Sequence, residues 1–170
     1  ALLVEIEDWQ SLVSMLAQHA PRLLREGRYQ TLSEWLRAVP EPWRDGNPWL
    51  AYFLGVCRLP FDFGEARGLF ERAYEGFARE GAVEGEYLAW AGIADTFLYA
   101  WSDFKPADRW IEAFDHLRRR HPDFPSRDLE TRVIAGIFGL LSFRKPQHPD
   151  LPSLAARLEA LLLEDIDPVL

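Results

Sequence analysis

The sequence has a single cysteine, no long hydrophobic run and no surplus of basic residues among its 170 residues. One thiol, Cys57, excludes an internal disulfide framework and a cluster of thiolate metal ligands. No stretch approaches the ~18 consecutive apolar residues of a membrane-spanning helix. The first ten residues carry acids where an export signal needs basic residues, so we see no such signal. Together these absences predict a cytoplasmic protein without a membrane span.

The net charge of −8 argues against direct binding of nucleic acid. Such binding depends on clustered Lys and Arg side chains that neutralise phosphates. Only Arg118, Arg119 and Arg120 form a basic run, and this run closes a predicted helix, where cations interact favourably with the helix dipole. We therefore expect no nucleic-acid contact by this segment.

Patterns that carry catalysis or metal binding are missing as well. The sequence contains no GxSxG nucleophile elbow and no HExxH motif, and its four histidines are isolated. Cys57 lies on an apolar helix face, where a thiol usually acts as a small buried hydrophobic residue. We therefore predict no enzymatic activity, no metal and no cofactor; an enzyme would require distant residues to converge.

A helical period is present instead, and it is clearest between Glu84 and Leu117. Apolar residues recur there at steps of three and four, which places them on one side of a helix. These residues are Tyr87, Trp90, Ala91, Ala94, Phe97, Leu98 and Trp101. Other sides of this helix are also apolar, so it is predicted to lie between neighbouring helices. The helix that follows is amphipathic, and one hairpin cannot bury the first helix alone.

Paired helices recur along the whole chain, which predicts an all-α fold. We expect an α-solenoid of about four antiparallel, tetratricopeptide-like hairpins in a single domain over residues 1–170. The hairpins are predicted at approximately 9–40, 47–80, 84–121 and 126–164, with eight helices and no strand. Three second helices share a spacing of four and three: Thr31, Trp35 and Ala38; Ala66, Phe70 and Ala73; Ala107, Ile111 and Phe114.

Local signals mark the helix ends. Ser11, Asn47 and Ser126 are predicted N-caps, Pro48 suits a first helical position, and Gly27 suits the position just past a helix. Pro21 predicts a kink or a stop, and the stretch 41–48 is a predicted turn cluster. Gly55 lies inside a predicted helix at a cost of about 1 kcal/mol relative to alanine, which predicts a close helix crossing.

The pattern Ala66-x3-Phe70-x2-Ala73, preceded by a helix with Leu54-Gly55, resembles the tetratricopeptide repeat, although Arg58 replaces its tyrosine. The stretches LLREGRYQTLSEWLRAVP, NPWLAYFLGVCRL and ARGLFERAYEGFAREG resemble the repeat region of MalT-like regulators. These are ATP-dependent activators of the STAND class with LuxR-type DNA-binding domains. The likeness covers about residues 11–117, through Gly27, Trp35-Leu36, Pro40, Pro48-Trp49-Leu50, Ala66, Ala73 and Phe77.

The resemblance implies a sensing and docking arm that receives a protein segment or a small inducer and couples it to a nucleotide-binding module. The sequence has no GxxxxGK[ST] phosphate loop, so the segment is not itself that module, and we expect a fragment of a longer chain. The predicted function is a binding module of a bacterial transcriptional regulator. The alternative is a structural spacer or a homodimerisation segment without a ligand of its own.

In tetratricopeptide-like arrays the first helix of each pair lines the concave groove. Aromatic and acidic residues on these helices are therefore the candidate groove residues: Tyr52, Glu86, Trp90, Asp95 and Tyr99. Tyr and Trp are favoured interface anchors because they bury a large area and keep a polar tip. Core packing is the alternative role for each of them. Trp35, Phe70 and Trp110 are predicted core residues.

Overall fold

The computed structural model describes residues 9–164, and within this range every regular element is helical. The elements are α1 (Trp9–Arg25), α2 (Tyr29–Ala38), α3 (Glu41–Asp45), α4 (Pro48–Arg58), α5 (Phe63–Glu80), α6 (Val83–Ala100), a 3-10 helix (Lys105–Ala107), α7 (Asp108–Arg120), α8 (Arg127–Arg144) and α9 (Leu151–Glu164). The all-α prediction is confirmed for these residues. None of these helices combines the length and the apolar character needed to cross a membrane.

Helix α3 lies where the sequence predicted only a turn. Its proline, Pro42, is in the first turn, where proline is tolerated because the first amides of a helix have no partner within it. The amides of Trp43 and Arg44 both donate to the Pro40 carbonyl oxygen at 3.0 Å. The predicted count of eight helices is therefore one too few for residues 9–164. A five-residue helix is too short to carry a recognisable period.

A kink or a stop was predicted at Pro21; helix α1 continues through this proline to Arg25, so the stop does not occur. Ser11 lies inside the same helix, so the N-cap position predicted for it is wrong. Pro21 cannot donate a backbone hydrogen bond, which disfavours the helix at this point. Leu23, one turn after Ala20, is buried, and the burial of its side chain compensates for the missing bond. The chain leaves the helix at Gly27, as predicted, with a φ of 71° that glycine adopts without strain.

Side-chain caps fix the starts of α4 and α8 where they were predicted. The Oδ1 atom of Asn47 accepts hydrogen bonds from the amides of Trp49 at 2.9 Å and Leu50 at 3.3 Å. Pro48 takes the first position of α4. The Ser126 hydroxyl oxygen accepts from the Leu129 amide at 3.2 Å. These bonds satisfy amides that have no partner inside their helix.

The most extensive helix contacts join α5 to α4 and α5 to α6. Helix α6 also packs against α4, α7 and α8, whereas α9 packs against α8, and α1 and α2 pack against α4. Tyr87, Trp90 and Ile93 of α6 are all fully buried. The prediction that α6 lies between neighbouring helices is thus confirmed.

Two close helix approaches involve the ring of Phe70 on α5, which is fully buried. A Cβ atom on Gly55 of α4 would lie 2.7 Å from this ring. A Cβ atom on Gly92 of α6 would lie 2.8 Å from the same ring. The ring therefore occupies space that side chains on both neighbouring helices would need. The close crossing predicted at Gly55 is confirmed, and Gly92 of α6 makes a second close approach to the same ring.

We expect Gly92→Ala to lower the free energy of unfolding by about 1–3 kcal/mol, because overpacking against the Phe70 ring outweighs the ~1 kcal/mol gain in helix propensity. Gly68→Ala on α5 is the matched control, since a Cβ there meets nothing within 4 Å. It should raise stability by about 0.5–1 kcal/mol. Urea unfolding followed by circular dichroism measures both. Equal stabilisation by the two substitutions would contradict the close approach at Gly92.

Candidate functional site

The five predicted groove residues differ widely in accessibility. Glu86 and Trp90 are fully buried, Tyr52 is buried, Asp95 is half-buried, and only Tyr99 is clearly exposed, at 62%. Glu86 and Trp90 therefore cannot line an open groove in this structure, and Trp90 takes the alternative role of a core residue. The reason is that α5, α7 and α8 all pack against α6 and cover sides that would be open in an isolated hairpin.

Trp90 connects α6 to α7 and α8. Its indole nitrogen Nε1 donates to the carbonyl oxygen of Trp110 at 2.8 Å, and its ring lies 5.1 Å from that of Phe114, centroid to centroid. Helix α8 approaches at Gly136, where a Cβ would lie 3.3 Å from the indole ring. A buried indole N–H needs an acceptor. Here the acceptor belongs to the backbone, so the side chain supports packing.

Tyr52 and Asp95 meet at a residue that the sequence did not single out, Arg132 of α8. Its Nη2 atom donates to Asp95 Oδ2 at 2.6 Å and its Nη1 atom to the Tyr52 hydroxyl at 3.2 Å. Burial alone would lower the pKa of Arg132, but Tyr52 and Asp95 outweigh this effect and raise it. One guanidinium thus joins α4, α6 and α8. The sequence does offer one signal for this pair. Asp95 and Arg132 are charged residues on largely apolar helices, and a buried charge needs a partner of opposite sign.

Glu86 belongs to a second polar group, at the other end of α6. Its Oε2 atom accepts from Arg120 Nη2 at 2.6 Å, whereas Oε1 has no hydrogen-bond partner among the described residues. His121 Nε2 lies 4.0 Å from Oε1. Burial, reinforced by Glu86, raises the pKa of the nearby Tyr74 phenol. The pairing compensates a carboxylate that would otherwise be costly to bury.

The predicted basic run at residues 118–120 is partly used within the chain. Besides the Arg120–Glu86 pair, Arg118 donates to the Pro122 carbonyl oxygen. The Arg118 guanidinium also lies 4.1 Å from the centre of the Phe124 ring, a cation–π contact. These contacts hold the α7–α8 connection against the end of α7.

Three aromatic residues, Trp101, Phe104 and Phe143, form a surface group that we call the aromatic cluster. Phe104 and Phe143 stack with ring centroids 4.6 Å apart, and Trp101 meets Phe143 edge-on at 4.9 Å. Trp101 ends α6 with a φ of 46°, and it is the one non-glycine residue with a positive φ in the described part of the chain. Its side chain is 70% exposed. Trp101 therefore exposes a large indole ring to water, and its backbone adopts an unfavourable conformation.

The charge next to the aromatic cluster differs in sign from the charge of the whole chain. Asp108 and Arg144 neutralise each other through two hydrogen bonds of 2.7 Å, and Arg144 holds the pKa of the Asp108 carboxyl below its usual value. Lys105 and Lys145, the two lysines of the sequence, act on the same carboxyl in the same direction. Asp103, which accepts a hydrogen bond from the Lys105 amide, is the acid on this surface without an arginine partner. Lys105, Lys145 and Asp103 together carry a net charge of +1.

Helices α1 and α2 enclose an apolar cleft of about 740 Å³, which we call the end cleft. Its wall includes Trp9, Leu12, Met15 and Trp35. Trp35 was predicted to be a core residue, and this prediction is wrong because its side chain is 45% exposed. The spacing correctly assigned Trp35 to an apolar side of α2, but no described helix covers that side.

The described part of the chain offers neither a metal-ligand cluster nor a reactive thiol. No group of three His, Cys, Asp or Glu residues there could hold a metal ion. Cys57 is buried, as predicted, and burial raises the pKa of its thiol to about 11. Since the thiolate is the nucleophilic form, Cys57 is a poor nucleophile near neutral pH.

No protein-family model, curated protein or solved structure matches this chain. The aromatic cluster and the end cleft each expose a tryptophan side chain, Trp101 and Trp35, to water.

Proposed function

We propose that this chain is a binding module: a tetratricopeptide-like α-solenoid from the arm of a MalT-like transcriptional regulator of the bacterial cytoplasm. Its task in this proposal is to dock a segment of a partner protein. The aromatic cluster is the observation that carries the proposal, because an exposed indole held in a strained conformation has no role in the core.

The order of helix contacts supports a solenoid. The first helices of successive hairpins, α1, α4, α6 and α8, contact one another in turn, and each also contacts the second helix of its own hairpin. Packing between nearest neighbours is typical of repeat arrays. The Tyr52–Arg132–Asp95 bridge joins three first helices, and its Arg132–Tyr52 bond links α8 to α4, which belong to hairpins that are not adjacent.

The residues behind the family resemblance have packing roles that fit such an array. Ala66, Ala73 and Phe77 on α5 are fully buried. Pro48 lies against α5 at Gly76, where a Cβ would approach the proline Cβ to 2.8 Å. Small-residue contacts of this kind allow the close helix packing that the proposed repeat array requires.

The aromatic cluster has the properties of a binding hot spot. A left-handed conformation costs an ordinary residue about 1–2 kcal/mol, and the exposed indole gains little burial in return. Phe104 and Phe143 hold the ring in place, so little side-chain entropy is lost on binding. Rigid aromatic anchors of this kind contribute much of the affinity in protein interfaces.

The charges beside the cluster indicate the chemistry of the partner. Lys105 and Lys145 are exposed and flank the aromatic rings in a chain of net charge −8. Opposite charges across an interface favour encounter and fix register. The proposed partner segment therefore carries an apolar anchor residue with acidic side chains on either side of it.

We expect Trp101→Gly to keep or raise the stability of the chain by up to about 1 kcal/mol, because glycine adopts the left-handed conformation without strain. The same substitution should weaken binding of a fluorescein-labelled peptide of alternating Asp and Leu at least ~10-fold, through loss of the anchor. Fluorescence anisotropy measures the binding and urea unfolding measures the stability.

Phe61→Ala is the control for this experiment, because Phe61 is also an exposed aromatic residue, at 73%, but lies outside the cluster. It should bind the peptide like the unchanged chain. A peptide with Asn in place of Asp should bind more weakly. Failure of the acidic peptide to bind, or equal binding by Trp101→Gly, would contradict the proposed docking site.

A second candidate function is self-association through the end cleft. An apolar cleft of about 740 Å³ with exposed Met15 and Trp35 is unfavourable in water, and a second copy of the chain could cover it. This observation favours the structural alternative, in which the segment pairs with itself.

For that candidate, sedimentation velocity should show dimers of the unchanged chain, and Trp35→Asp should raise the dimer dissociation constant at least ~30-fold by placing a charge in the interface. Trp43→Asp is the matched control, since Trp43 is equally exposed, at 45%, but does not line the end cleft. A monomeric unchanged chain, or equal effects of the two substitutions, would exclude self-association by this face.

A further inference from the structure

A second, smaller cleft lies between the start of α4, the preceding α3 and the second half of α5; we call it the arginine cleft. Its volume of about 330 Å³ falls at the lower end of the range for small-molecule sites. Helix α5 lines it with residues three and four positions apart on one face: Leu69, Arg72, Gly76 and Arg79. Helix α4 contributes Pro48, Ala51 and Leu54, and α3 contributes Arg44.

Part of the lining of the arginine cleft is apolar. At Gly76 a Cβ would lie 2.8 Å from the Pro48 Cβ, so α4 and α5 are in direct contact there. Leu54 and Leu69 are both buried beside this contact. A compact apolar group entering the cleft would therefore lose its contact with water, which favours binding.

The lining of the arginine cleft also carries positive charge. Arg72 and Arg79 outnumber the single acid in the lining, Glu80, by one charge. Neither Arg72 nor Arg79 forms an ion pair with any residue that the structure describes. The Nε atom of Arg79 donates to the Glu75 carbonyl oxygen at 3.3 Å. The planar guanidinium matches the geometry of carboxylate and phosphate oxygens.

The amides at the start of α4 do not supply the donors for such an anion. The Oδ1 atom of Asn47 already accepts from the amides of Trp49 and Leu50. The helix dipole adds a favourable field, but direct hydrogen bonds have to come from the arginine side chains. The two arginines of α5 are therefore the residues on which an anion would depend.

We propose that the arginine cleft binds a small molecule that joins a phosphate or carboxylate group to a compact apolar group. Arg72 and Arg79 bind the anion, and the surface formed by Leu54 and Leu69 contacts the apolar group. The cleft is formed by α3, α4 and α5, whereas the aromatic cluster belongs to α6, α8 and the connection after α6. The two sites can therefore be tested separately, and failure of one leaves the other standing.

Isothermal titration calorimetry of the purified chain tests this site with four probes. Phenyl phosphate and benzoate each join an anion to an apolar ring, and we expect at least one of them to bind with a dissociation constant on the order of 1 mM, as small fragments do. The stronger of the two identifies the preferred anion. Inorganic phosphate lacks the apolar ring and benzyl alcohol lacks the anion. Each should bind at least ~10-fold more weakly than the better probe.

Arg72→Gln should weaken the better probe ~10-fold, because it removes a charge-assisted hydrogen bond but leaves the helix surface in place. Arg25→Gln is the control: Arg25 is an exposed helix arginine on α1 outside the cleft, and its loss should change nothing. Thermal unfolding confirms that both variants fold. The proposal is overturned if neither anionic probe saturates, if inorganic phosphate binds as well as phenyl phosphate, or if Arg72→Gln binds like the unchanged chain.

Discussion

The ring of Phe70, held between Gly55 and Gly92, is the contact on which the arrangement of the central helices depends. Two glycines let α4 and α6 both approach one buried ring, since a Cβ on Gly55 would lie 2.7 Å from it and a Cβ on Gly92 would lie 2.8 Å from it. Close packing of this kind maximises dispersion contacts and leaves no void. The cost of two mid-helix glycines, about 1 kcal/mol each, is offset by this burial.

The same approach brings the polar side chains of α4 and α6 together. Tyr52 lies three residues before Gly55, and Asp95 lies three residues after Gly92, so both residues are about one turn from the Phe70 contact. With α4 and α6 this close, one guanidinium, that of Arg132, reaches both. Rigid packing at the centre leaves the functional possibilities to the surfaces: the aromatic cluster, the end cleft and the arginine cleft.

The helices could be predicted from the sequence because their apolar period and caps are local, as Asn47, Gly27 and Ser126 illustrate. The accessibility of individual side chains could not be predicted from the sequence, because it depends on which neighbouring helix covers each side of a helix. Trp35 was assigned to an apolar side that remains open, and Trp90 is enclosed where a groove was considered. Arg132 and Tyr52 are eighty residues apart in sequence, so no local window shows their hydrogen bond. Trp101 was missed as an exposed anchor because glycine, and not tryptophan, is the usual residue in a left-handed helix end.

The most direct test of the central contact is a nuclear Overhauser experiment on protein labelled at phenylalanine rings and glycine α-carbons. We expect cross-peaks from the Phe70 ring protons to the Hα protons of both Gly55 and Gly92. This expectation is contradicted if the ring shows a contact with only one of these glycines, because α4 and α6 would then not share the ring between them.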